Sequence, residues 1–256
     1  MSDAHARFEA FKKYHETKDL VEDLIADFYR SFLNDQGTAI DCGSNKGAHA
    51  IPLARCCREV LAIDANREMC DFLSDQLRGL GLTNCKVFHA ALQDKRSVRE
   101  VTFYLSDNYH GRSSLTRLWD VIDKKVKYHP VACPAQTLDE LAEIHALQRV
   151  DFIKLDLEGG EYKALLGGHS LLQRDMPVLV MENSIYAASQ GGFAPQDPYS
   201  YLESLGYVLV APNTDFVTKA NLFPFWYLFA LPRSKLDTYR SKLAEKYERI
   251  CAAHGI

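Results

Sequence analysis

Four short apolar runs in this sequence each deliver a carboxylate. Residues 38–42 carry Asp41, residues 60–63 lead into Asp64, residues 150–155 into Asp156, and residues 178–181 into Glu182. Short apolar runs bounded by turn signals read as buried strands. Segments with helical spacing follow them, over about residues 47–57, 67–79 and 138–147. This alternation predicts βαβ units and a parallel sheet with helices on both faces. It also gathers the acids at the carboxyl ends of the strands, the edge where open α/β sheets bind ligands.

The flanking segments fit around that core. Residues 6–34 have helical spacing, with Leu20, Leu24, Ile25, Phe28, Phe32 and Leu33 on one apolar stripe. We expect residues 1–36 to form an N-terminal helical cap on a core of residues 37–256. With 256 residues and 47% hydrophobic content, one domain with a sizeable core is expected. A strand is expected near residues 85–91. Residues 98–105 and 127–133 read as an inserted strand pair around a polar loop. Thr137 and Glu140 have the spacing of a capping box. Residues 206–212 and 222–231 read as a final antiparallel hairpin, and a charged helix over about 234–253 follows.

Charge and cysteine content narrow the function classes. The net charge is -4 and no basic block stands out, so nucleic acid is not an expected partner. Seven cysteines, an odd number with no C-x-x-C, predict a reduced, cytoplasmic protein without a disulfide framework or a zinc site. The N-terminal residues lack the apolar core of a signal peptide. The longest apolar stretch, residues 222–231, contains Pro224 and is too short to span a bilayer.

The segment Asp41-Cys42-Gly43-Ser44-Asn45-Lys46-Gly47 carries the first chemical signal. A strand ends, glycines follow and a helix begins. Glycine admits close backbone approach, and a helix start offers unpaired N–H donors. The dinucleotide fingerprint G-x-G-x-x-G is not met, because Asn45 occupies the second glycine position. A phosphate loop would need G-K-[ST]. An acid before the glycines repels phosphate and suits a cation, such as the amino group or sulfonium of S-adenosylmethionine. Asp64, followed by Ala65 and Asn66, stands where an acid accepts from ribose hydroxyls. Ala90 and Ala91 leave room for a flat adenine. Asp41, Gly43, Ser44, Asn45, Gly47, Asp64, Ala65, Asn66, Ala90 and Ala91 are therefore the expected cofactor residues, with Asp156 delivered to the cofactor edge by its strand. Ser113 and Ser114, in a polar loop that could cover the site, join them through Ser114.

The sequence resembles the FkbM family of S-adenosylmethionine-dependent methyltransferases. The resemblance rests on residues 41–47, Ser113-Ser114-Leu115, Thr137-Leu138-Asp139, Glu182-Asn183, and the run of residues 151–161 with its K-x-D-x-E-G-x-E core. Ser44, Lys46 and His49 depart from the residues the family usually has there. The resemblance implies a class I (Rossmann-like) methyltransferase fold: a mostly parallel seven-stranded sheet with an antiparallel final hairpin. It implies S-adenosyl-L-methionine as cofactor and O-methylation of a sugar, glycan or secondary-metabolite hydroxyl.

Methyl transfer to a hydroxyl asks for a base within hydrogen-bond reach. Asp156 and Glu158 are the first candidates, since an acid ending a buried strand needs a partner. Glu161 is either a third catalytic carboxylate or a charge on a helix N-terminus. His110, in the polar loop, is a further candidate base. A divalent cation is an alternative, held by Asp156, Glu182 and Asn183, all oxygen ligands of the kind a hard cation takes. A non-catalytic binding protein on the same fold is the other. Residues 184–200, with Tyr186, Gly191, Gly192, Phe193 and Tyr199, are expected to line the acceptor side. The N-P-P-Y motif of exocyclic-amine methyltransferases is absent, which again speaks against nucleic acid.

Overall fold

The computed structural model describes residues 8–11, 13, 20–107, 110–117, 125–183, 192–222 and 225–256. Its frame is a seven-stranded sheet in the order β3-β2-β1-β7-β8-β10-β9. The strands are β1 (Thr38–Cys42), β2 (Glu59–Asp64), β3 (Cys85–His89), β7 (Phe152–Leu155), β8 (Val178–Glu182), β9 (Tyr207–Val210) and β10 (Tyr227–Pro232). β1 is buried along its whole length, between parallel neighbours β2 and β7. A strand covered on both faces cannot alternate polar and apolar residues, which is why it reads as a continuous run.

The topology reverses at β1. The chain moves outward from β1 to β2 and β3, then returns to β7 and β8 on the other side. Right-handed crossovers in opposite directions place the connecting helices on opposite faces. These helices include α2 (Ala50–Cys56), α3 (Arg67–Gly79), α4 (Leu138–Ile144), α5 (Glu161–Gly167) and α6 (His169–Asp175). The capping box on α4 forms as expected: Thr137 Oγ1 accepts from Glu140 N, and Glu140 Oε2 accepts from Thr137 N.

The N-terminal helix lies on the sheet. Helix α1 (Leu20–Arg30) buries Leu20, Val21, Leu24, Ile25, Phe28 and Tyr29. Phe28 meets Phe229 of β10, with ring centroids 5.4 Å apart, and Tyr29 meets Phe152 of β7 at 5.3 Å. The last helix, α8 (Leu236–His254), packs beside α1, where Arg249 pairs with Asp27. Among the described residues, no helix is long and apolar enough to cross a membrane.

Two strand expectations are refined. The final antiparallel pair is present, but β10 is inserted between β8 and β9 and pairs antiparallel with both. The run near residues 85–91 breaks after His89. Its end forms β4 (Ala91–Leu92), which leaves the main sheet and pairs with β6 (Tyr128–Gln136). The inserted strand pair is β5 (Glu100–Ser106) with β6, antiparallel from Glu100 opposite Pro134 to Ser106 opposite Tyr128. Helix α7 (Asp197–Ser204) precedes β9.

Candidate active site

The carboxyl ends of β1, β2, β7 and β8 open onto a cavity of about 300 Å³. Among the described residues, six acids line it: Glu22, Asp41, Asp64, Asp156, Glu158 and Glu182. The basic groups on its wall are Lys154 and His49. Ala65, Met69 and Phe103 give it an apolar side.

Gly43 explains how two strand ends fit together. Its φ is +83°, and a Cβ there would stand 1.8 Å from the Asp156 carbonyl oxygen. Only glycine allows β1 and the turn after β7 to cross so closely. That crossing sets Asp41 and Asp156 on one cavity wall. Asn45, at φ 44°, turns its N–H onto Asp64 Oδ2 at 2.7 Å. Asp64 Oδ1 accepts from Asn66 N at 2.7 Å. Each Asp64 oxygen thus holds one backbone donor and keeps a lone pair for a ligand.

A buried polar network crosses the cavity floor. Lys154, in the fully buried strand β7, sets Nζ 2.7 Å from Asp156 Oδ2. Tyr227 Oη stands 2.7 Å from Glu22 Oε1 and 3.0 Å from the same Asp156 oxygen, so its single proton is shared between the two carboxylates. His49 Nε2 bonds Glu22 Oε2. Burial pushes the Glu22 carboxyl up, but the His49 hydrogen bond, the Lys154 charge and the Tyr227 hydroxyl outweigh it and bring the group to about 2. Burial alone would lower the Lys154 ammonium; Asp156, Glu22 and Asp41 reverse that and raise it. Burial raises the Tyr227 phenol, with Asp156 and Glu22 adding to it.

Other groups in the cavity wall have no partner. Both carboxylate oxygens of Asp41, Ser44 Oγ, Asn45 Oδ1, His49 Nδ1 and Glu182 Oε2 are buried without a hydrogen bond among the described residues. Asp41 is 1% exposed. Burial raises its carboxyl against the Lys154 charge. Burial, then Asp156, Glu158 and Glu161, raise Glu182 well above the usual carboxylate range. Unsatisfied buried groups are costly, so this many around one cavity marks a ligand site.

The sequence matches the family model for the methyltransferase FkbM domain over residues 41–209, well over half of the chain. The chain belongs to the FkbM methyltransferase family. Solved structures give weaker likenesses. An FkbM methyltransferase from Methylobacillus flagellatus KT aligns with 15% identity and a TM-score of 0.48 over 77% of this chain. This chain spans 44% of that protein's length. A precorrin 8w decarboxylase from Methanobacterium thermoautotrophicum aligns with 15% identity and TM-score 0.46, over 82% of this chain and 88% of its own. An rRNA methylase from Streptococcus thermophilus aligns with 12% identity and TM-score 0.43, over 81% of this chain and 92% of its own. No functionally curated protein matches the sequence.

Of the residues expected at the site of this family member, Asp41, Gly43, Ser44, Asn45, Asp64, Ala65, Asp156, Glu158 and Glu182 line the cavity. Gly47 lies behind the wall against Leu73, and Asn66 caps α3 by accepting from Glu68 N at 3.0 Å. Ala90 and Ala91 are buried and outside the cavity lining; Phe103 and Cys133 of the inserted pair pack against Ala91. Ser114 pairs with Tyr104 of β5, and its neighbours Gly111 and Ser113 line the cavity instead. His110 opens a single 3-10 turn, but its side chain lies outside what the structure describes.

Glu161 stands behind the cavity wall. Its Oε1 accepts from Leu157 N at 2.7 Å and its Oε2 from Gly159 N at 3.1 Å, which holds the turn after β7 in shape. Glu158 in that turn has φ 50°, a conformation costly for a side-chain-bearing residue and typical of functional turns. Asn183 Nδ2 donates to the carbonyls of Leu222 and Phe225, fastening the segment before β10 to the end of β8. Among the described residues, no group of three or more His, Cys, Asp or Glu side chains is placed to hold a metal ion. Tyr186 and Gly191 lie outside the described residues. Gly192 is exposed, Phe193 meets Tyr162 at a tilt with centroids 5.0 Å apart, and Tyr199 packs on the main core.

Sequence reasoning gave no site role to Glu22 or Tyr227, and marked His49 only as a departure from the family pattern and Lys154 only as part of the K-x-D-x-E-G-x-E core. Glu22 and Tyr227 fall outside the matched segment, on α1 and β10. Their one sequence-level trace is Lys154, a lysine inside an apolar strand, which requires buried carboxylates nearby.

Proposed function

We propose that this methyltransferase takes its methyl group from S-adenosylmethionine and passes it to a hydroxyl of a sugar, glycan or small metabolite. The observation that carries the proposal is Asp41: a buried carboxylate on the cavity wall with neither oxygen paired among the described residues. Such a group calls for a cation, and the donor's ammonium and sulfonium are cations. Asp64 accepts the ribose hydroxyls, the unpartnered Ser44 hydroxyl donates to the donor's carboxylate, and Ala65, Met69 and Phe103 flank the adenine. Bound there, the sulfonium supplies a methyl group with a good leaving group, so positioning does much of the catalytic work.

Asp156 and Glu158 are the groups we assign to the acceptor hydroxyl. Asp156 takes the hydroxyl proton as the oxygen attacks, and Glu158 holds the acceptor in place. Glu161 keeps the turn that carries them. The six lining carboxylates favour a neutral or cationic acceptor and repel a phosphodiester chain. The alternative set of Asp156, Glu182 and Asn183 suits a metal less well. The Lys154 ammonium already stands at 2.7 Å from Asp156 and supplies the positive charge a metal would bring.

The test combines calorimetric titration of S-adenosylmethionine with a screen of glycan and metabolite acceptors, using labelled methyl donor with and without EDTA. We expect donor binding, label in a neutral hydroxylated acceptor, and no effect of EDTA. No donor binding would reject the proposal, and loss of transfer in EDTA would restore the metal reading.

A further inference from the structure

We infer that Tyr227 and Glu22 are positioning residues for methyl transfer: with Lys154 they fix one oxygen of Asp156 and leave the other open to the acceptor. The inference rests on the donor and reaction proposed above. Lys154 Nζ at 2.7 Å and Tyr227 Oη at 3.0 Å both approach Asp156 Oδ2. Among the described residues, no hydrogen bond reaches Asp156 Oδ1. The Lys154 ammonium and the proton that Tyr227 shares with Glu22 both meet Oδ2, so rotating the carboxylate breaks both contacts. The lone pairs of the other oxygen therefore keep a set direction into the cavity that Asp156 lines. A base whose orientation is set by a third group is the arrangement that proton abstraction requires.

Tyr227 is itself held. Its backbone pairs opposite Glu182 in the β8–β10 ladder. Its hydroxyl proton is shared with Glu22 Oε1 at 2.7 Å, and His49 binds the second oxygen of Glu22. Its ring lies 5.8 Å from the Lys154 ammonium. Helix α1 thus reaches Asp156 through one hydroxyl, and β10 supplies that hydroxyl. Both elements lie outside the segment that the family model matches.

The test needs no acceptor. Sinefungin carries an amine-bearing carbon in place of the methyl-bearing sulfur, whereas S-adenosylhomocysteine carries nothing there. The ratio of their affinities, measured by calorimetry, reads the negative charge facing the transferring methyl. Tyr227→Phe changes no net charge, so it isolates orientation. We expect a wild-type preference for sinefungin that Tyr227→Phe cuts roughly tenfold or more, the low end for a lost hydrogen bond to a charged group. S-adenosylhomocysteine affinity should stay within about twofold, since the lost bond does not face the donor's ribose or adenine. Glu22→Gln should reduce the preference, Glu22→Asp should restore part of it, and Glu22→Gln with Asp156→Asn should fall no further than Asp156→Asn alone.

A wild type without the preference overturns the inference, as does an unchanged ratio in Tyr227→Phe. Parallel weakening of both ligands, or additive effects in the double variant, also overturns it. Wild-type protein that binds neither ligand rejects the donor proposal itself, and this inference with it. Should Tyr227→Phe melt early, Glu22→Asp, which keeps the charge and moves the carboxylate, answers the same question.

Discussion

Lys154 Nζ stands 2.7 Å from Asp156 Oδ2, inside a sheet where the lysine is only 3% exposed. The two residues are two apart, and strand periodicity puts such a pair on one face. A lysine there replaces the solvent that Asp156, Glu22 and Asp41 have lost. Removing one partner of a buried pair leaves an uncompensated charge. Lys154→Met should therefore lower stability at neutral pH by roughly 3–5 kcal/mol, read as a fall in the urea midpoint with an unchanged slope.

Asp156 and Glu158 separate chemistry from folding. Asp156→Asn should lower kcat by about 10²–10⁴, the range of a lost general base, while the chain still folds, at a lower melting temperature because Lys154 loses its nearest counter-charge. Replacing either Asp156 or Glu158 by Ala should collapse methyl transfer with the fold intact. Near-normal turnover in both Ala variants would move the base elsewhere.

Gly43 is where the two halves of the site meet. The Cβ in Gly43→Ala would overlap the Asp156 carbonyl at 1.8 Å, at φ +83°. The strands cannot both keep their places. We expect a loss of about 2–4 kcal/mol from overpacking and backbone strain together, and no measurable donor binding in calorimetry at neutral pH.

The cofactor-free chain should lose stability as pH rises toward neutrality. Burial raises Glu161 from 4.5 to about 7 and Asp64 from 3.8 to about 6. Each binds protons more tightly folded than unfolded. The stability each contributes is complete below its unfolded value and is lost as pH rises through its folded value. Glu22 has the opposite sign: its contribution is present above 4.5 and lost as pH falls toward about 2. Glu161→Gln should flatten the decline between pH 4.5 and 7 by roughly 3 kcal/mol. Urea midpoints at the two ends of that window check it; equal declines in wild type and variant would remove Glu161 from the account.

Much of the fold was legible because its signals are local. The acid at each strand end, the glycines after Asp41 and the Thr137–Glu140 capping box each depend on neighbours within a few residues, and all three appear where the sequence puts them. The K-x-D-x-E-G-x-E run carried its own geometry too. Strand alternation aligned Lys154 with Asp156, and the tight turn let Glu161 reach back to Leu157 and Gly159.

What tertiary structure decided lies between distant segments. Ala90 and Ala91 look like an open slot in sequence, but Phe103 and Cys133 close over Ala91 once β5 and β6 fold onto it. Strand β10 looks like the end of a hairpin, but it enters between β8 and β9, and that insertion carries the Tyr227 hydroxyl to Asp156. Glu22 reaches the same hydroxyl from 205 positions away along the chain. No local spacing encodes such a meeting, because it depends on how an amphipathic helix settles on a finished sheet. The sequence by itself determined which strands end in carboxylates; packing determined which of those carboxylates are paired, and left Asp41 without a partner among the described residues.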